Sequence, residues 1–188
     1  MNQRLVSCLL LLAAGAAILL ACFLPPRVGH PVTPFMKSSA EKLAGQLITK
    51  IPGEADRPMV VIFVLSDCPC SLEYEPYVHR LFQAYRDRGT FIEVVAGDDA
   101  TAQQWKAQQS TPFPVISDPD GKIAQEFGAL RSAYTALVMN GKIRKIWPGY
   151  SAGMLRELGS VIANATGGSE QSLDLDQAPD RLTSGCPL

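Results

Sequence analysis

The sequence predicts one α/β domain with a mixed central sheet and flanking helices, preceded by an N-terminal transmembrane or signal segment. Three observations carry this. Short unbroken apolar runs, above all residues 59–65 (MVVIFVL), read as strands buried on both faces and so as part of a largely parallel sheet covered by helices. Segments with apolar residues at helical spacing alternate with these runs, which makes a β-α-β unit. Two further strand-like runs meet at Asn140-Gly141, the two-residue signal for a type I′ hairpin, so one pair of strands is antiparallel.

The elements follow in order. Residues 5–24 (LVSCLLLLAAGAAILLACFL) are uncharged and almost wholly apolar, about the length that spans a bilayer at roughly 1.5 Å per residue. Arg4 precedes them, so the positive flank predicts a cytoplasmic N-terminus and an exported remainder. Leu19-Leu20-Ala21-Cys22 resembles a bacterial lipobox, so 1–24 is read as a membrane anchor or a lipoprotein signal, with lipid on Cys22 in the second case. Residues 25–36 are a Pro-rich spacer. The domain is expected over 37–165. It opens with a helix from a Ser38-x-x-Glu41 capping box to Ile51, on the four-residue spacing of Leu43, Leu47 and Ile51. After the strand at 59–65 comes a helix over 69–88, with Val78, Leu81, Phe82 and Tyr85 on one face and Gly89 as its stop. A strand at 91–96, a helix at 100–109, a short strand at 114–117 and a helix at 122–127 follow. The hairpin Tyr134–Met139 and Lys142–Trp147 and a last helix, Ala152–Ala165, close the domain. Residues 166–188 are polar and rich in turn formers, which predicts a mobile tail.

Lys plus Arg number 17 against 18 Asp plus Glu, a net charge of −1 with no dense basic run, which leaves a nucleic-acid partner without electrostatic support. Of the five cysteines, Cys8 and Cys22 lie in the apolar segment, Cys68 and Cys70 form a C-P-C triplet, and Cys186 is near the C-terminus. Export puts the last three outside the reducing cytosol, where a thiol pair can be stably oxidised and is cycled by a partner.

The chemistry is expected in Ser66-Asp67-Cys68-Pro69-Cys70-Ser71, where the first buried strand ends and its helix begins. Pro69 suits the first helical position because its missing N–H has no intrahelical partner there, and this makes Cys68 the N-cap. A Cys68 thiolate then faces free N–H groups and the positive end of the helix dipole, both of which lower a thiol pKa. Cys70 is close enough to attack a mixed disulfide at Cys68, through a small ring whose strain makes it easily reduced.

At these residues the chain resembles the thioredoxin-like redoxins, in particular the membrane-anchored, exported thiol:disulfide oxidoreductases and the neighbouring peroxiredoxin-like families. The resemblance covers about residues 40–164 and includes Pro76, a helix-kinking proline eight residues after Cys68. It implies a thioredoxin-like fold, Cys68 as nucleophile, exported protein thiols or disulfides as substrates, an electron-donating redox partner, and no cofactor or metal. Three departures from the family pattern stand out. Ser71 occupies the second active-site cysteine position, so C-x-x-C becomes C-x-C with Cys70 as resolving thiol. Asp67 replaces a common aromatic residue, and Arg131-Ser132-Ala133-Tyr134 fills the place of the proline before the hairpin.

Arg131 is a candidate to stabilise the thiolate or a peroxide, and Cys186 a candidate distant resolving thiol. Trp147 and Tyr150 are candidate shields of the cysteines. His79, Glu73 and Glu75 read as ordinary helix residues, the two acids favouring the dipole. A disulfide oxidoreductase, a peroxidase passing through a sulfenic acid, a Cu(I) carrier and a non-catalytic binding domain all remain open.

Overall fold

In the computed structural model of the chain, residues 29–51 and 57–188 are described, and the apolar segment 5–24 lies outside them. Among the described residues no helix is long and apolar enough to cross a membrane. The elements run β1 (His30–Pro31), α1 (Pro34–Glu41), β2 (Met59–Val64), α2 (Pro69–Tyr85), β3 (Thr90–Val95), α3 (Asp99–Gln109), β4 (Val115–Ser117), α4 (Lys122–Glu126), β5 (Tyr134–Met139), β6 (Lys142–Trp147), α5 (Ala152–Ala165) and β7 (Thr183–Ser184).

Five strands form the main sheet in the order β4-β3-β2-β5-β6. The pairs β2–β3 and β3–β4 are parallel, and β2–β5 and β5–β6 antiparallel, so the sheet is mixed as the sequence predicts. The unbroken apolar run of β2 lies at its centre and is buried at all six positions. Alternate residues face opposite sides. Val60, Ile62 and Val64 pack with Val78, Leu81 and Tyr85 of α2 and Leu155, Leu158 and Ile162 of α5, whereas Met59, Val61 and Phe63 pack with Met36 and Ala40 of α1 and with Phe127. The result is three layers, with the C-terminal end of β2 delivering the chain to the start of α2.

Two expectations require correction. The first helix begins at Pro34, with Thr33 as its cap, and ends at Glu41. The Thr33 Oγ1 accepts the Met36 N–H at 3.3 Å, so Thr-Pro outcompetes the downstream Ser38 box as a start signal. After Glu41 the chain turns through Gly45 at φ 88, and its backbone runs along β6, with the Gly45 N–H on the Ile143 carbonyl and the Ile143 N–H on that of Gln46. Residues read as the end of a helix therefore cover a sheet edge. In consequence the 25–36 spacer is not separate from the domain over its last residues, since β1 and the start of α1 lie in it.

The second concerns 166–188, which is not a free tail but crosses the outer face of α2. The Gln171 N–H donates to Tyr85 Oη at 2.9 Å, Tyr77 Oη to the Asp176 carbonyl at 3.2 Å, Arg80 to that of Asp174 at 2.9 Å and Arg88 to that of Ser169 at 2.6 Å. Leu173, Leu175, Ala178 and Leu182 pack on the core beneath. The segment is polar in composition, but four apolar residues at irregular spacing hold it together with the donors Tyr77, Arg80 and Arg88 and the acceptor Tyr85 Oη on and just after α2. Its end forms β7, antiparallel to β1.

Candidate active site

The turn from β2 into α2 forms as the sequence predicts. Cys68 is the N-cap, in extended conformation (φ −86, ψ 120), with Pro69 at the first helical position. Pro76 lies inside the same helix. Ser71 is fully buried and its Oγ accepts the Leu65 N–H at 3.1 Å, which ties the strand end to the first helical turn. Its role is therefore structural.

The Cys68 sulfur accepts the Ser132 hydroxyl at 3.2 Å and the Cys186 backbone N–H at 3.1 Å. Burial pushes its pKa up, but hydrogen bonds from the Cys186 thiol, the Ser132 hydroxyl and the Cys186 and Cys70 amides outweigh this and bring it down to about 7. A substantial thiolate fraction at neutral pH is the consequence. Cys70 goes the other way: burial first, then the neighbouring Cys68 charge, pushes it up to about 12, so it remains a neutral thiol. Cys186 is also raised, first by its hydrogen bond to Cys68 and then by burial.

The structure thus brings Cys68, Cys70 and Cys186 together. Arg131 joins them indirectly, because its Nε–H donates to the Gly185 carbonyl at 2.6 Å and so holds the chain next to Cys186. Tyr150 covers this end by stacking on Tyr74 at 4.6 Å between ring centroids, and its hydroxyl donates to Glu73 at 3.3 Å. Trp147 is buried, and its Nε1–H donates to Glu157 of α5 at 2.9 Å.

Sequence reasoning missed Ser132 as a donor to Cys68. It sits where the family proline is absent, beside Ala133, which is fully buried in the left-handed region at φ 61. The one available signal was position: a hydroxyl residue immediately before the hairpin strand. Glu75 was also misread, as an ordinary first-turn acid. It is 3% exposed, its Oε1 lies 2.8 Å from His79 Nε2, and Thr111 donates to it at 3.2 Å. Facing it from β3, Glu93 is fully buried and accepts Trp105 Nε1–H at 2.8 Å.

The redoxin family profile matches residues 35–162. The chain belongs to the redoxin family. No curated protein sequence matches this redoxin significantly. Among solved structures, the Chlorobium tepidum protein described as a thiol:disulfide interchange protein DsbE is similar with a TM-score of 0.58 and 20% identity, over 66% of this chain and 98% of that one. The MTB DsbF protein is similar at 0.51 and 22% identity, over 59% and 82%. The Xanthomonas campestris bacterioferritin comigratory protein, known for alkyl peroxide reduction, is similar at 0.50 and 18%, over 59% and 82%. At these identities the likeness shows the fold, which is thioredoxin-like. Within the redoxin family this chain carries its cysteine pair as C-x-C.

Proposed function

We propose that this redoxin is a membrane-tethered, exported thiol-disulfide oxidoreductase in which Cys68 is the nucleophile. The observation that supports it best is the Cys68 sulfur itself, at a helix N-cap with a pKa near 7, next to a second and a third thiol. A thiolate attacks a protein disulfide to form a mixed disulfide, and a neighbouring thiol then releases the bound protein. Both DsbE-type and DsbF-type neighbours in fold are compatible with that chemistry. A peroxidase has less support, because the arginine that would face a peroxide, Arg131, is committed to the Gly185 carbonyl. The Cu(I) reading has less support because Cys70, one of the two thiolates it needs, is held protonated by burial and by the Cys68 charge.

The partners proposed are exported protein thiols or disulfides and an electron-donating dithiol protein, with residues 5–24 in the inner membrane and the domain on the extracytoplasmic side. The test is reduction of a model protein disulfide by the reduced full chain, with Cys68→Ser expected to lose the activity entirely. Rapid consumption of hydroperoxide without disulfide reduction would replace this reading with the peroxidase one. Fractionation of producing cells tests the tether: the full chain is expected with the membranes, and recovery from the soluble fraction overturns that part.

A further inference from the structure

The last six residues of the chain lie across the candidate site. Thr183 exchanges both backbone hydrogen bonds with Tyr150, at 2.9 Å each. Further on, the Gly185 N–H donates to the Ser132 carbonyl at 2.9 Å and the Ser132 N–H to the Cys186 carbonyl at 2.8 Å, with Arg131 bridged to Pro187 and the Leu188 N–H on the Leu130 carbonyl. This is a short antiparallel strand pairing against 130–132, the segment beside the Cys68 sulfur, through the backbone groups that an extended peptide from another protein would need. Under it, Cys68 is 1% and Cys70 3% exposed, so with the strap in place no external disulfide reaches either sulfur.

The fit is close. A Cβ at Gly185 would lie 2.0 Å from Ser132 Oγ and 3.1 Å from the Cys68 sulfur, and one at Gly149 would lie 2.5 Å from the Thr183 carbonyl oxygen. Two glycines, one on the strap and one on the surface it crosses, permit the approach.

We infer that residues 183–188 are a built-in substrate mimic, which holds the Ser132 pairing edge until an external protein displaces it and which carries, in Cys186, the thiol that closes a disulfide with Cys68. This rests on the proposed exchange chemistry of Cys68. In the sequence of events, the strap end lifts and the Cys68 thiolate attacks one sulfur of a protein disulfide. The other substrate sulfur leaves as a thiolate and takes a proton from water. The strap then returns, Cys186 attacks the Cys68 sulfur, and its proton goes to the second departing substrate sulfur. The substrate gains two electrons and leaves as two thiols, while Cys68 and Cys186 supply those electrons and end as a disulfide, to be reduced again by a dithiol protein.

Cys186 suits this step better than Cys70 for a physical reason. The leading cause that keeps Cys186 protonated is its hydrogen bond to Cys68, which disappears once Cys68 is capped as a mixed disulfide. The leading cause for Cys70 is burial, which is restored when the strap returns over it.

The test exposes the reduced full chain to oxidised glutathione, quenches in acid and maps the tryptic peptides. The wild type and Cys70→Ser are expected to show peptide 182–188 linked to the peptide that carries Cys68, and Cys186→Ser to retain glutathione on Cys68 although Cys70 is present. A Cys68–Cys70 disulfide in the wild type, with Cys186→Ser clearing glutathione at the same rate, overturns the inference and leaves the exchange chemistry standing. If glutathione reaches Cys68 in no variant, the exchange reading falls and this inference with it. Gly185→Val gives a second readout: at pH 9, where thiolate fraction is not limiting, Cys68 should react with a bulky maleimide at least about tenfold faster than in the wild type, because reactivity then follows exposure. An unchanged rate, in a variant whose circular dichroism matches the wild type, shows that the strap does not cover the site.

Discussion

A buried sulfur two residues from another buried sulfur would ordinarily be a poor nucleophile, and Cys68 escapes this through directional donors. Its neighbour Cys70 is as deeply buried but lacks them, and the two thiols separate by several pH units from nearly the same depth. Ser132 is one of the donors, so Ser132→Ala should raise the Cys68 pKa by about one unit, the size expected for losing one hydrogen bond to a charged group. The measurement is the iodoacetamide reaction rate against pH, which should show its inflection move upward, with reaction near pH 7 slowed. An unmoved inflection would mean that the Cys186 thiol and the Cys186 and Cys70 amides hold the thiolate without it. Cys68 was legible in the sequence because Cys-Pro after an apolar strand specifies an N-cap by local rules. Ser132 was not, because its role depends on a contact between residues far apart in the chain.

At the scale of elements, α2 does three things along one length. Its first turn presents Cys68, its inner face packs on β2, and Tyr77 and Arg80, the hydroxyl of the buried Tyr85 at its last turn and Arg88 just beyond its end meet the C-terminal segment. Where α2 meets β3 and α3, Glu75 and Glu93 face each other in the core with Trp105 and Thr111 as donors. Burial, followed by the neighbouring Glu93, pushes Glu75 up to about 10, and burial also raises Glu93. The pair is stable in the fold while it holds a proton. For a carboxyl group whose folded pKa lies above its unfolded one, stability is full below the unfolded value near 4.5 and falls as pH rises toward about 10, since the folded state holds the extra proton. The wild type should therefore lose stability on the order of 1 kcal/mol per pH unit across the neutral to alkaline range. Glu75→Gln, neutral at every pH, should flatten that slope, as read by urea denaturation at pH 6, 7.5 and 9. Equal slopes in the two proteins would remove the pair from the pH dependence. The order of strands and helices from β2 to α5 was readable because each has strong periodicity and its own stop signal. The Glu75–Glu93 contact and the early start of α1 were not, as the first depends on tertiary pairing and the second on competition between two valid caps.

At the scale of the molecule, the domain is closed by residues 166–188. Composition suggests a tail that stays in water, and the same residues instead pack four apolar side chains on the core and pair two backbone stretches, one with β1 and one with the 130–132 segment beside Cys68. Sequence patterning misses this because the contacts follow neither a helical nor a strand period, and partners such as Arg80 look like ordinary exposed positions of a helix. The molecule should therefore behave as one cooperative unit from α1 to the end, not as a domain with an appendage. Amide hydrogen exchange on the full chain tests this directly. The amides of Gln171, Thr183 and Gly185, each bonded within the fold, should exchange well below the rate of an unstructured peptide, and Gly185 should be the least protected of the three if the strap end opens on its own. Arg80→Ala combined with Arg88→Ala removes two of the pins of the segment and should speed exchange at Gln171 while leaving the amides of β2 unchanged. Exchange of all three tail amides at the free-peptide rate in the wild type would show that the segment is a mobile tail after all, and the Cys68 site would then stand open to solvent.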